Sequence, residues 1–302
     1  MDGVFIIDKP SGMTSFDVVR RVRQALGTPK AGHTGTLDPM ATGVLPVCVG
    51  EATKIAGFIL EGDKTYDAVV RLGVETDTLD AEGRVLAEKP VPTFDRAQLE
   101  NVLAQFRGSF DQLPPMFSAI KVAGKRLYES ARAGEEVERK PRHVTVHALV
   151  LRDFSANEVT LSVTASKGFY VRSLAHDIGV ALGCGAHLRM LRRTHSGKFG
   201  LERAIPLTQF EEAARTDGGR RMLLQRMLTP AAGLSGLPTL QLTASEVDRV
   251  RHGVPLEKAA PPGRPNSPIA LLDPDGALVA VSDIDKGRLA YRRVLLPPKE
   301  SV

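Results

Sequence analysis

In the first fifty residues, a segment with the pattern of an amphipathic helix lies between two short apolar runs. Residues 4–7 are all apolar, which predicts a buried strand. Thr14 or Ser15 can cap a helix in which apolar residues recur at helical spacing until Gly27 ends it. Residues 44–49 are almost entirely apolar and predict another strand. The pattern therefore predicts a strand, a helix and a strand, with a loop between the helix and the second strand.

The middle of the chain combines alternating and helical patterns. Alternation of apolar and polar residues predicts strands over 66–72, 144–151 and 158–165. Apolar residues at helical spacing predict helices over 94–106 and 171–182. Strands and helices mix without a regular βαβ order, and strand pairs typical of hairpins recur. We therefore predict an α+β fold around a largely antiparallel mixed sheet.

A domain boundary is expected near residues 230–238, which are poor in charge and rich in Gly and Pro. Beyond it, Thr243 and Glu246 have the spacing of a capping box that opens a short helix. An apolar hairpin around the turn sequence DPDG follows. The sequence thus predicts a larger domain over 1–233 and a small β-rich module over 234–302.

Basic residues are concentrated in two parts of the chain. The 302 residues include 40 Lys and Arg against 35 Asp and Glu, a net charge of +5. Residues 121–142 hold seven basic residues against four Glu, and residues 188–203 hold five against one. Either cluster alone is typical of solvated surface charge, but together they favour a polyanionic partner such as a nucleic acid.

Several classes of site are disfavoured. Cys48 and Cys184 are the only cysteines and are far apart in sequence, which excludes a thiol-rich zinc site and does not indicate a disulfide. His33 and Asp38 lack the spacing of a metal-binding motif, and no Gly-Lys-Ser/Thr phosphate loop is present. Without a signal-like start or a run of about 20 apolar residues, we expect a soluble cytoplasmic protein.

Residues 32–46, GHTGTLDPMATGVLP, hold a single carboxylate, Asp38, among glycines and prolines. Pro39 biases Asp38 toward an extended backbone, and the glycines let the chain approach a ligand closely. An LDP sequence by itself is most often a turn or a helix cap. With aromatic His33 beside it and basic clusters elsewhere, one carboxylate suggests covalent attack on a base or a sugar.

Four stretches together resemble the bacterial tRNA pseudouridine synthase B family. They are the loop at 32–46, similar to that family's catalytic motif; 4–19, similar to its K-P-x-G motif; 63–85, similar to its tyrosine-bearing strand; and 166–193, similar to its arginine motif. The similarity covers nearly all of residues 3–205. One departure is Phe117, where the family more often has Tyr.

The resemblance implies three catalytic residues. Asp38 would be the nucleophile in the isomerisation of uridine, either by attacking the sugar or through an intermediate deprotonated at C2′. Tyr66 would stack on the uracil and could act as a base, although a tyrosine on an apolar strand face is more often a core residue. Arg172 would pair with Asp38 and keep its carboxylate ionised.

The resemblance also implies substrate-binding residues. His33 would fill the space left by a uridine that has flipped out of the RNA stack. Tyr170 would contact the flipped nucleotide, and Leu191 would pack against it. Lys9 and Pro10 would support the catalytic loop.

The family implies a specific substrate and a small set of partners. The substrate would be the T-loop uridine at position 55 of tRNA, bound as the T-arm stem-loop and converted without cofactor or metal. A monomer with no obligate protein partner and no membrane partner is expected. Residues 114–143 would form a thumb that closes on RNA, and residues 234–302 a PUA-like RNA-binding module. The alternatives are a non-catalytic tRNA-binding or folding protein and a pseudouridine synthase for another RNA.

Overall fold

The structure, a computed structural model, describes residues 1–118, 121–122, 125–127, 137–258, 268–285 and 287–296. The central part of the predicted 114–143 thumb lies outside these residues.

Strands make up much of the described chain. In chain order they are β1 (Gly3–Lys9), β2 (Ala31–His33), β3 (Thr42–Val49), β4 (Lys64–Leu72), β5 (Val74–Thr76), β6 (Val85–Glu88), β7 (Gly108–Gln112), β8 (Lys121–Val122), β9 (Lys125–Arg126), β10 (Arg142–Phe154), β11 (Glu158–Ala165), β12 (Ala186–Ser196), β13 (Phe199–Gly200), β14 (Ile205–Pro206), β15 (Thr239–Gln241), β16 (Ile269–Leu272), β17 (Leu278–Asp285) and β18 (Arg288–Val294).

The helices are short. They are α1 (Ser15–Leu26), α2 (Ala56–Ile59), α3 (Arg96–Ala104), α4 (Val171–Ala181), α5 (Leu207–Ala213), α6 (Asp217–Arg226), α7 (Pro230–Gly233) and α8 (Ala244–Arg251), with 3₁₀ turns at Gly50–Ile55 and Leu201–Arg203. Of the helices described, none combines the length and the apolarity needed to cross a bilayer.

The chain divides into two compact units. Unit 1 comprises Met1–Asp38, Val44–Glu61 and Leu201–Val302, and unit 2 comprises Pro39–Gly43 and Gly62–Gly200.

Unit 1 contains the strand and helix predicted at the N-terminus. Strand β1 runs parallel to β14, with Ile7 opposite Ile205, and β2 runs antiparallel to β3. Thr14 caps α1 in a capping box with Asp17, and Gly27 ends the helix at a φ of 64°. The predicted caps of α1 are therefore confirmed, because both depend on local chemistry.

Unit 2 contains an antiparallel sheet in the order β12-β4-β11-β10-β7. Thr42 and Gly43, at the start of β3, pair in parallel with Arg192 and Arg193 of β12. The α+β fold and its largely antiparallel mixed sheet are thus confirmed. Helix α4 packs against β12.

Strand β12, eleven residues long, is an element that the sequence pattern did not predict. Its pairing with β4 shifts register between Leu188 and Met190 and again between Arg193 and His195. Such irregularities break the two-residue alternation that identifies a strand from sequence.

The C-terminal part of unit 1 has a four-stranded sheet of its own, in the order β15-β16-β17-β18. Its buried core is formed by Leu242, Val247, Val250, Leu256, Ile269, Leu271, Val279, Ala280 and Leu289. Thr243 and Glu246 form the predicted capping box of α8, and β16 and β17 form the predicted hairpin.

Candidate active site

The loop that carries Asp38 is held by the side chain of Ser15, the first residue of α1. Ser15 Oγ accepts a hydrogen bond from the Leu37 N–H at 2.8 Å and donates one to the Leu37 carbonyl at 3.1 Å. Because Ser15 is only 2% exposed, water does not compete well for these bonds. Ser15 therefore fixes the backbone of the residue directly before Asp38.

Two glycines of the loop are required by its geometry. Gly35 has a φ of 97°, a conformation that other L-residues rarely adopt. Gly43 has a φ of 103°, and a Cβ atom there would overlap the carbonyl oxygen of Arg193 in the neighbouring strand. At Gly43 the glycine therefore serves close strand packing, not only the approach of a ligand.

His33 and Asp38 both lie in unit 1 and are partly exposed. His33 ends β2, where it is paired with Val47. Lys9, predicted to support the loop, is fully buried in β1 and donates to the Pro10 carbonyl at 3.0 Å.

Tyr66 and Leu191 lie on the same face of the sheet in unit 2. Tyr66 in β4 is opposite Arg193 in β12, and Ala68 is opposite Leu191. Paired residues of antiparallel strands share a face, so Tyr66 and Leu191 are diagonal neighbours. Tyr66 is partly exposed, whereas Leu191 is buried.

The guanidinium of Arg172, near the start of α4, is buried and held on several sides. Its Nη1 donates to the Thr78 carbonyl at 3.0 Å, and its Nη2 donates to the Phe117 carbonyl at 2.8 Å. Nη1 also lies 3.4 Å from Oδ2 of Asp80. The contact with residue 117 uses the main chain, so Phe in place of Tyr leaves it unchanged.

Asp80 is a functional candidate that sequence reasoning missed. Its Oδ1 accepts from Thr78 Oγ1 at 2.6 Å and from the Glu82 N–H at 3.1 Å. The preceding residue, Leu79, has a φ of 62°, which is unusual for a leucine. The hydrogen bond from the Glu82 N–H to the Asp80 side chain is typical of an Asx turn. The tendency of Asp to form such turns was the signal that the sequence offered for this residue.

Arg193 was also missed. It is almost fully buried on β12, opposite both Tyr66 in β4 and Gly43 in β3. A buried arginine requires polar partners, so its position beside Tyr66 makes it part of the candidate site.

The predicted site residues therefore fall into two groups. His33 and Asp38 belong to unit 1, and Tyr66, Tyr170, Arg172 and Leu191 belong to unit 2. Tyr170 is partly exposed and immediately precedes α4.

The two cysteines are free and buried. Burial raises the pKa of the Cys48 thiol to about 12, so it is not a ready nucleophile near neutral pH. Across the described ranges, no three His, Cys, Asp or Glu side chains are grouped as metal ligands.

Two protein-family domains match the chain. The TruB family pseudouridylate synthase N-terminal domain matches residues 23–171. The tRNA pseudouridylate synthase B C-terminal domain matches residues 172–234.

Curated relatives are similar over almost the whole chain. A protein named tRNA pseudouridine synthase B from Pseudomonas aeruginosa (strain UCBPP-PA14) is 45% identical over 296 residues, covering 98% of this chain and 96% of the relative. A protein of the same name from Burkholderia mallei (strain NCTC 10247) is 46% identical over 301 residues, covering 98% and 97%.

Solved structures are similar over the same extent. A Cbf5-Nop10-Gar1 complex includes a chain with a TM-score of 0.78 and 28% identity, covering 98% of this chain and 85% of that one. An archaeal box H/ACA sRNP Nop10-Cbf5 complex gives a TM-score of 0.76 and 25% identity, covering 98% and 87%.

Proposed function

Because the chain belongs to the TruB family of pseudouridylate synthases, we propose that it converts the T-loop uridine at position 55 of tRNA to pseudouridine. The observation that supports tRNA as the substrate is the full-length similarity to proteins named tRNA pseudouridine synthase B. The two basic clusters fit a polyanionic substrate of this kind.

In the proposed reaction, Asp38 initiates cleavage of the bond between N1 and C1′ of the uridine. The carboxylate either bonds to C1′ as the N1–C1′ bond breaks, or the C2′ proton is removed as N1 leaves. The free uracil then rotates and forms a bond from C5 to C1′; this step releases the carboxylate in the first route, and the proton returns to C2′ in the second. In both routes N1 gains a proton and C5 loses one. The product is an isomer of the substrate, so the overall reaction consumes no oxidant, reductant or co-substrate, and we propose that it uses neither a cofactor nor a metal.

Asp38 must remain ionised for this chemistry, and we assign that effect to Arg172. A guanidinium beside a carboxylate favours the charged form of the carboxylate. Asp80 and two main-chain carbonyls orient Arg172, which reduces the reorganisation needed during the reaction. Tyr66 is partly exposed on its strand, and we assign to it stacking on the uracil and acceptance of the proton from C5.

The uridine must leave its stack before Asp38 can reach C1′. Unstacking costs a few kcal/mol, and contacts to an aromatic ring return about 1–3 kcal/mol per base. We assign the filling of the vacated space to His33, and the contacts with the flipped nucleotide to Tyr170 and Leu191.

We further propose that residues 1–233 form the catalytic domain and residues 234–302 a PUA-like RNA-binding module. The separate sheet and core of the C-terminal part support this division. Residues 114–143 would act as the thumb. The enzyme would act as a monomer with no obligate protein partner.

The test is to incubate purified protein with unmodified tRNA and to map pseudouridine in the product. We expect modification at the T-loop uridine, and none with Asp38→Asn, which should still bind tRNA. Parallel reactions on a T-arm stem-loop with excess chelator should proceed at the same rate. Binding without modification would favour the RNA-binding alternative, and modification of another RNA only would favour a different synthase.

A further inference from the structure

Gln112, the last residue of β7, makes a double hydrogen bond to the backbone of Tyr170. Its Oε1 accepts from the Tyr170 N–H at 2.8 Å, and its Nε2 donates to the Tyr170 carbonyl at 3.1 Å. The side chain is only 2% exposed. A single amide thus satisfies both polar groups of one residue, as a neighbouring strand would.

Tyr170 is the N-cap residue of α4, and no side chain caps the helix at this point. The position of the first turn of α4 therefore depends on how the Tyr170 backbone is held. Arg172 lies two residues later in that turn. A change in the contact at Tyr170 would move Arg172 directly.

The residues that follow Gln112 make two further bonds to the same turn. Ser173 Oγ donates to the Leu113 carbonyl at 2.8 Å, and Arg172 Nη2 donates to the Phe117 carbonyl. Residues 112–117 therefore contact three of the four residues from the N-cap Tyr170 to Ser173. Residues 114–117 of this segment are also the first residues of the proposed thumb.

We propose that Gln112 is a positioning residue that sets the orientation of the Arg172 guanidinium for the reaction. The proposal rests on the role assigned to Arg172 above. Gln112 touches no reacting atom; it acts through the Tyr170 backbone. Since a misplacement of about 1 Å at a reacting group can cost about 100-fold in rate, loss of this contact should affect turnover strongly.

The decisive variant is Gln112→Met, which keeps the length of the side chain and removes both hydrogen bonds. We expect the single-turnover rate on tRNA to fall about 10- to 100-fold. The Kd for tRNA should stay within about twofold, since Gln112 is buried and cannot contact RNA. Ser109→Ala is the matched control. Ser109 lies in β7 with Gln112, and the change removes its 2.8 Å hydrogen bond to Thr145. It should leave the rate unchanged.

A double-mutant cycle separates positioning from a loss of stability. The loss of single-turnover rate caused by Arg172→Lys should be smaller by a factor of about three or more in the Gln112→Met protein than in the wild type. The reason is that Arg172 is already displaced in the Gln112→Met protein. If Gln112→Met does not fold, Ser173→Ala tests the same segment and should slow turnover without weakening tRNA binding.

Three results would overturn the proposal: a Gln112→Met rate equal to that of Ser109→Ala, a defect confined to tRNA binding, or strictly additive losses with Arg172→Lys. If Gln112→Met does not fold, a Ser173→Ala rate equal to that of Ser109→Ala would do the same. An absence of pseudouridine with the wild-type protein would instead refute the proposed function, so the two failures are distinguishable.

Discussion

Arg172 Nη1 and Asp80 Oδ2 lie 3.4 Å apart, and each side chain is only 5% exposed. A buried charge is costly unless it is paired, so each of these side chains offsets part of the cost of burying the other. Asp80 is in turn held by Thr78 and by the Glu82 N–H. The orientation of the proposed catalytic arginine is therefore set by a loop from a distant part of the chain.

Asp80→Asn should lower both stability and turnover. Breaking a buried ion pair typically costs about 3–5 kcal/mol, and Arg172 would lose the anion that orients it. We expect a lower melting temperature and a single-turnover rate reduced by about tenfold or more, with tRNA affinity nearly unchanged. Thermal unfolding, filter binding and single-turnover assays measure the three quantities.

Asp77→Asn is the matched control for Asp80→Asn. Asp77 lies in the same loop, but its ion pair is with Arg84, whose side chain is 89% exposed. Exposed pairs contribute about 0–1 kcal/mol, so this change should have little effect on stability or rate. Equal defects in the two variants would show that the loop, and not the buried pair, is responsible.

Ser15→Ala should slow the reaction, because it loosens the backbone of the loop that carries Asp38. The change removes both hydrogen bonds to Leu37 and leaves its buried backbone groups unsatisfied, at a cost of about 1–3 kcal/mol. We expect a rate about tenfold lower in single-turnover assays with saturating tRNA.

Thr14→Ala provides the comparison for Ser15→Ala. It removes the N-cap of the same helix, which typically costs about 1 kcal/mol, without touching the loop. Loss of stability without loss of rate is expected. A rate defect as large as that of Ser15→Ala would argue that the helix as a whole, and not the contact with Leu37, matters.

His33 variants test gap filling against proton transfer. His33→Phe retains an aromatic ring, so it should keep much of the activity, whereas His33→Ala should lose stacking worth about 1–3 kcal/mol. Single-turnover rates on one T-arm stem-loop, measured across pH, compare the two. Equal and severe defects, together with a wild-type titration near the ordinary imidazole pKa of about 6.5, would favour an acid–base role.

Glu51 should make stability depend on pH. Burial alone would raise its pKa, but hydrogen bonds from Lys54, the Leu296 N–H and Lys30 outweigh burial and lower the pKa to about 2. A carboxyl with a lowered pKa stabilises the fold fully above its unfolded-state pKa, near 4.5, and this stabilisation is lost as the pH falls toward 2.

The free energy of unfolding should therefore be higher for wild type than for Glu51→Gln at pH 6–7. The difference should shrink steadily in denaturant titrations carried to lower pH. Glu202→Gln, at an exposed position, serves as the control and should match wild type throughout. A difference between wild type and Glu51→Gln that does not change with pH would contradict the assigned electrostatic role.

Local chemistry was sufficient to predict the elements whose signals lie within a few residues. Helix α1 has its cap at Thr14 and its end at Gly27, and α8 has its capping box at Thr243 and Glu246. The alternating strands β4, β10 and β11 follow from their patterns in the same way. Strand β12 does not, because its register shifts break the alternation and its pairing with β4 specifies it instead.

The sequence by itself determined which chemistry is proposed. The Asp38 loop and the motifs around Tyr66 and Arg172 have the residue types, and the order along the chain, of the tRNA pseudouridine synthase B family. Only the tertiary structure identified the residues that orient them. Ser15 reaches Leu37 across 22 residues of chain, Gln112 reaches Tyr170 across 58, and Asp80 meets Arg172 from a separate loop. Hydrogen bonds and ion pairs depend on distances in space, and no local pattern encodes which distant backbone a buried side chain will meet.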